Sequence, residues 1–177
     1  MLNNQRNLVL YIAMSLDGFI AKPNDDLSFL SVVASENEDY GYSEFISTVD
    51  TILIGRRTFD WITSQVEYPH IDKKTFVISR QKKRSTSPNI IYNDNVVELV
   101  SKLKNETGLT VFCDGGAQIV NELLKYKLFD ELIISIIPIL VGDGIRLFDN
   151  NRPEQNLQLI SSKSYTSGLT QLRYKLL

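Results

Sequence analysis

A single cysteine, Cys113, and a single histidine, His70, are all that 177 residues offer toward thiol or imidazole chemistry. One cysteine closes no internal disulfide, and one histidine beside it makes no Cys/His cluster for zinc. A Ser-His-Asp hydrolase fits poorly for the same reason. Long apolar runs are missing too. The longest, residues 132–141, is broken by Ser135 and Pro138, far short of the roughly 20 residues a membrane helix needs. Met1-Leu2-Asn3-Asn4-Gln5-Arg6 carries no apolar leader and no small-residue cleavage site, so the reading is a cytoplasmic protein away from the membrane. A net charge of only −2 gives no global drive toward nucleic acid. What is present is an ordinary globular balance, 43% hydrophobic and 23% charged, in a length that suits one domain over residues 1–177.

The charge is unevenly placed. Between Asp17 and Asp50 there are eight acids and one base, Lys22; between Lys73 and Arg84 there are six bases and no acid. Such runs are either solvated faces or the two sides of a site, with a phosphate-rich cofactor at the basic end and a polar small molecule at the other.

Apolar patterning supplies the elements. Residues 8–14 form a continuous Val/Ile/Tyr-rich run that ends at the turn Ser15-Leu16-Asp17-Gly18, which reads as a buried strand. Tyr42, Phe45, Ile46 and Val49 have helical spacing, and strands follow at 51–54 and 75–79, with a short helix over 57–62. Val96, Leu99, Val100 and Leu103 repeat the helical spacing behind Asn95, a side chain suited to capping. A strand at 110–113 runs into Asp114-Gly115-Gly116 and a helix carrying Ile119, Val120, Leu123 and Leu124. The strand at 132–137 meets Pro138, which suggests a sheet edge or a bulge, and 157–165 with 169–176 form a closing hairpin. Strands alternating with helices before a final hairpin predict an α/β fold: a mostly parallel twisted sheet with an antiparallel end.

In such sheets ligands bind beyond the carboxyl ends of the strands. Three junctions there stand out. Asp114-Gly115-Gly116-Ala117-Gln118 removes two side chains where a helix begins, which suits a pyrophosphate on exposed N–H groups, or merely makes a tight turn. Gly55-Arg56-Arg57-Thr58 sets two guanidiniums and a hydroxyl at another helix start, and Ser79-Arg80 ends a third strand beside the basic run. Arginine's planar fork matches phosphate oxygens, so the set favours a cofactor bearing a 2′-phosphate.

Ala13-Met14-Ser15-Leu16-Asp17-Gly18-Phe19-Ile20-Ala21, Gly55-Arg56-Arg57-Thr58-Phe59, Asp114-Gly115-Gly116, Phe129-Asp130-Glu131-Leu132 and Gly142-Asp143-Gly144 together resemble the reductase domain of bacterial riboflavin biosynthesis, and the wider dihydrofolate-reductase superfamily. The resemblance implies a dihydrofolate-reductase-like fold, NADPH as cofactor, and hydride transfer to a C=N or C=O of a small heterocyclic or ribosylamino substrate. Dihydrofolate reduction, or a nucleotide-binding protein that has lost the reaction, are the alternatives. It also implies a homodimer, for which the apolar strand within 132–141 is the candidate surface.

By the same resemblance the nicotinamide lies near Ala13 and Ser15, the pyrophosphate on Gly115, Gly116, Ala117 and Gln118 beside Asp114, and the 2′-phosphate near Gly55, Arg56, Arg57, Thr58, Ser79 and Arg80. One partly buried carboxyl is expected to handle the proton. Asp17, in the shared first motif, and Asp39, which by count matches the folate enzyme's helix carboxylate, are the candidates; the alternative jobs are bonding the Asp17-Gly18 turn and starting a helix. Two departures concern the substrate. Tyr11 and Phe19 stand where riboflavin reductases carry bases, and Pro23-Asn24-Asp25-Asp26-Leu27 replaces the folate enzyme's Pro-Trp loop.

Overall fold

The computed structural model describes residues 5–81, 85, 87–150 and 152–177; Lys82, Lys83 and Arg84 of the basic run lie outside the described residues. The chain forms β1 (Leu8–Ser15), β2 (Phe19–Ala21), α1 (Tyr42–Ser47), β3 (Val49–Gly55), α2 (Arg56–Gln65), β4 (Lys74–Ile78) and β5 (Ile90–Asn93). There follow α3 (Val96–Lys104), β6 (Thr110–Gly115), α4 (Ala117–Lys125), β7 (Glu131–Ile137), β8 (Ile145–Arg146), β9 (Leu157–Ser164) and β10 (Thr170–Leu176). Two 3-10 turns, Pro23–Asp25 and Ser28–Val33, lie between β2 and α1.

Eight strands make one sheet in the order β5-β4-β3-β6-β1-β7-β10-β9. Neighbours from β5 through β7 are parallel, while β10 runs antiparallel to both β7 and β9. The expected α/β architecture, with its C-terminal hairpin, is what the structure has. Continuous apolar runs follow from this arrangement, because layers on both faces bury the inner strands. Leu8, Leu10, Leu53, Val111 and Cys113 pack against Val100, Leu103, Val120 and Leu123 of α3 and α4. On the opposite face Ile52 and Phe112 meet Tyr42, Phe45 and Ile46 of α1. Asn95 does cap α3: its side chain accepts from the Glu98 N–H at 3.1 Å.

Two expectations are corrected. The helix read through Val49 stops at Ser47, and Val49 opens β3. It is buried in the same cluster as Phe45 and Ile46, so its apolar character served the core in either conformation. β7 is not an edge, since β1 and β10 flank it, and Pro138 lies just beyond its last residue where it costs no ladder bond. The exposed edge on that side is β9, exposed along its whole length. β5 is a short outer strand that the pattern did not suggest. Among the described residues no helix is long and apolar enough to cross a membrane.

Candidate active site

The carboxyl ends of β3, β4, β5 and β6 open into one cleft of about 1170 Å³. Three helices begin on its wall. Gly55, Arg56 and Arg57 start α2; Asn95, Val96 and Val97 start α3; Gly116, Ala117 and Gln118 start α4. The first N–H groups of a helix have no intrahelical partner and carry the positive end of its dipole. No side chain caps α2 or α4, so those donors remain available to an anion.

The two glycines of the β6–α4 junction do different jobs. Gly115 takes φ +98, a conformation that favours glycine, and is buried beneath Ile12. Gly116 has an ordinary φ of −77, but a Cβ there would stand 3.4 Å from Thr58 Oγ1. The bare Cα of Gly116 and the Thr58 hydroxyl thus face each other across a narrow cradle. Turn and cradle, which the sequence left as alternatives, are divided between the pair.

Of the thirteen residues expected at a cofactor, eleven line this cleft: Ala13, Gly55, Arg56, Arg57, Thr58, Ser79, Arg80, Asp114, Gly116, Ala117 and Gln118. Ser15 and Gly115 do not. Ser15 is fully buried, its hydroxyl donating to Asp17 Oδ1 at 2.5 Å and accepting from the Phe19 N–H at 2.9 Å. Arg57 bonds both oxygens of Asp25 at 2.9 and 2.8 Å, and Arg56 reaches Asp60 at 3.0 Å. Arg80 is exposed and has no partner among the described residues.

Neither carboxylate expected to handle a proton lines the large cleft, though Asp39 lines a smaller cavity beside it. Asp17 accepts from the Val141 N–H at 3.0 Å and the Gly142 N–H at 2.7 Å, tying its turn to the Gly142-Asp143-Gly144 loop. The Ser15 hydrogen bond and these backbone donors hold it down at about 2, so it stays ionised and is a poor acid. Asp39 is exposed, and its pKa is lowered as well, first by the Ser43 hydroxyl and then by the Ser43 and Gly41 N–H groups, from which it accepts at 2.9 Å each.

The carboxyl that does line the cleft is Asp114, half-buried. Because β6 runs two residues further than the sequence suggested, Asp114 falls on a strand, on the same side as Phe112, and both side chains line the cleft. Burial pushes its pKa from 3.8 to about 6, and it has no side-chain hydrogen bond among the described residues. Nearby, Tyr42 Oη hydrogen-bonds His70 Nε2 at 2.8 Å. Burial, and then the Asp114 charge, raises the Tyr42 pKa, and burial lowers that of His70 so that it is neutral at pH 7. Sequence reading missed Tyr42 as a cleft residue because it counts as helix face; it named Asp114 among the cofactor-binding residues, and behind Asp17 and Asp39 as a carboxyl where riboflavin reductases often have Glu. Cys113, one residue earlier, is fully buried in the core with its thiol pushed up to about 12, which fits packing rather than reactivity.

The family model described as the RibD C-terminal domain matches residues 6–171. An uncharacterized protein of Bacillus subtilis (strain 168), YwjB, is 35% identical over 172 residues, covering 96% of this chain and 98% of that protein. A crystal structure of a candidate riboflavin biosynthesis protein from Shewanella sp. PV-4 superposes with a TM-score of 0.87 at 28% identity, covering 97% of this chain and 99% of that one. The Thermotoga maritima diaminohydroxyphosphoribosylaminopyrimidine deaminase/5-amino-6-(5-phosphoribosylamino)uracil reductase shares the fold at 14% identity and a TM-score of 0.71, over 98% of this chain and 57% of that one.

Proposed function

This chain belongs to the RibD C-terminal domain family, reductases of the riboflavin-biosynthesis type, and on that premise we propose that it is an NADPH-dependent reductase acting on a C=N or C=O of a small heterocycle. The observation that carries the cofactor is the convergence of three helix N-termini on one cleft, with Arg56, Arg57 and Arg80 on its walls. The Gly116 cradle against Thr58 is space that any Cβ would fill, and it fits a pyrophosphate close to backbone. When bound there, the reduced nicotinamide supplies the hydride.

The protein's own part is orientation and the proton. Ala13, two residues before the end of β1, is a small side chain lining the cleft and leaves room for a flat ring. Arg57 exchanges its Asp25 partner for phosphate oxygens, so the segment Pro23–Asp25 is linked to cofactor arrival. Asp114, half-buried with a pKa near 6, is poised to give a proton to the heteroatom of the acceptor at neutral pH. It replaces Asp17 and Asp39 in that role.

Titrating NADPH and NADH against the fluorescence of Trp61, which lines the cleft and is 40% exposed, tests the reading. NADPH binding at least tenfold more tightly supports it. Equal affinity, or no response to either, refutes it.

The homodimer is proposed through β9 rather than β7. That edge strand exposes Leu157, Leu159 and Ile160 at 42%, 52% and 48%, and an apolar edge of this kind invites pairing.

A further inference from the structure

Beside the cofactor cleft lies a second cavity of about 360 Å³, and the two meet at Tyr11, Ala13, Leu30 and Tyr42. It is at the small end of the ligand-pocket range. A guest in it sits next to whatever lies over Ala13.

Its walls are of two kinds. Leu30, Val33, Ile137 and Leu169 make one side apolar, and Tyr11, Tyr40 and Tyr42 contribute aromatic rings. Tyr11 is fixed in place: its hydroxyl donates to the Tyr40 carbonyl at 2.9 Å and accepts from the Gln171 amide at 3.0 Å. The same amide reaches Ser135 Oγ at 3.1 Å, and the Tyr11 ring meets Tyr42 edge-on with centroids 5.5 Å apart. Rings held this way give a planar guest a rigid aromatic surface at little entropic cost.

The charge in this cavity is all of one sign. Glu38 and Asp39 line it, and among the described residues no lysine, arginine or histidine does. Three backbone donors on the acidic side are already held by the chain's own acids. The Tyr40 N–H donates to Glu38 Oε1 at 2.9 Å, and the Gly41 and Ser43 N–H groups donate to Asp39, both at 2.9 Å. A phosphate needs an Arg fork, an ammonium or free N–H groups; here it would meet carboxylates. Arg56, Arg57 and Arg80 line the large cleft and not this cavity.

We infer that the hydride acceptor is an unphosphorylated planar ring, neutral or cationic, seated among Tyr11, Tyr40 and Tyr42. This deepens the reductase reading and rests on it for the identity of the neighbouring ligand. In the reaction the ring carbon gains a hydride, with NADPH as the two-electron donor. The reacting C=N or C=O lies at the junction by Ala13 and Tyr42, where the ring reaches into the large cleft; its π pair moves onto the heteroatom, which takes one proton from Asp114, and the carboxylate left behind is reprotonated from solvent.

Two matched pairs of probes test it: riboflavin against riboflavin 5′-phosphate, and 5-amino-6-(5-phosphoribosylamino)uracil against the same compound after enzymatic dephosphorylation. Binding is read by fluorescence quenching or thermal shift, with and without saturating NADP⁺, so failure of the cofactor reading leaves the comparison intact and is seen separately in the NADP⁺ titration. The unphosphorylated member of at least one pair is expected to bind tenfold or more tightly than its phosphate. In Glu38→Lys that preference should fall at least threefold, because the rim gains a cation. Equal or tighter binding of the phosphorylated members overturns the inference, and so does the absence of binding by all four.

Discussion

Replacing Asp114 by Asn should make the protein more stable and less active at once. The carboxyl titrates at about 6 in the folded chain against 3.8 as its ordinary value, and the cause is burial. A raised pKa means the folded state holds its proton longer than the unfolded chain does. Below 3.8 both states are protonated and the carboxyl is neutral to stability. As pH rises from 3.8 through about 6, ionisation increasingly favours the unfolded chain, and above that the penalty is constant. The interval corresponds to about 3 kcal/mol at most. Asp114 is only half-buried and opens toward the cleft, so a net gain of about 1–3 kcal/mol is expected for Asp114→Asn at pH 8. For a chain of this length each kcal/mol moves the melting temperature by about 2–4 °C. Melts of both proteins between pH 4 and pH 8 should coincide at the acid end, diverge as pH rises to about 6, and stay a constant distance apart above it. Activity goes the other way: the amide has no proton to give, so kcat/KM should fall about 10²–10⁴-fold, while the wild-type rate should decline as pH rises past about 6. Parallel melting curves across the range, or an active Asp114→Asn protein, would refute the assignment.

Arg57→Ala removes a charge-assisted phosphate contact and should weaken NADPH binding by about 1.5–3 kcal/mol while leaving NADH nearly unchanged; equal losses for both would place Arg57 elsewhere. Gly116→Val, at an ordinary φ, should melt close to wild type yet lose NADPH, because its branches fill the cradle against Thr58. Gly115→Ala should instead lose at least about 1 kcal/mol of stability without any ligand, since φ +98 suits glycine; the reverse pattern in thermal melts and titrations would contradict this division. Leu159→Lys on the exposed edge should yield a monomer by light scattering, and a persistent dimer would exclude β9 as the interface.

Much of this was legible because burial and periodicity agreed. Residues 8–14, 96–103 and 119–124 each had one apolar pattern and one matching element. The hairpin was marked by Thr166-Ser167-Gly168 between two strand-like runs. Where reading failed, a residue served two structures equally well or a strand was one turn of pattern longer. Val49 satisfied the helical spacing because α1 and the start of β3 bury against the same Phe112. Asp114 looked like a turn residue because Gly115 follows it, yet counting alternate positions from Phe112 would have placed it on the cleft-facing side. Asp17 was found for its motif, but its partners are backbone groups 124 and 125 residues away, which no local pattern reveals. β5 has four residues in a polar stretch and takes its identity from pairing with β4.

One cofactor, on the proposed reading, bridges the starts of α2, α3 and α4. Hydrogen–deuterium exchange with and without NADP⁺ tests it most directly. Slowed exchange is expected together at residues 55–58, 95–97 and 116–119, with β9 unchanged. Protection confined to one of these segments, or absent from all three, would contradict it.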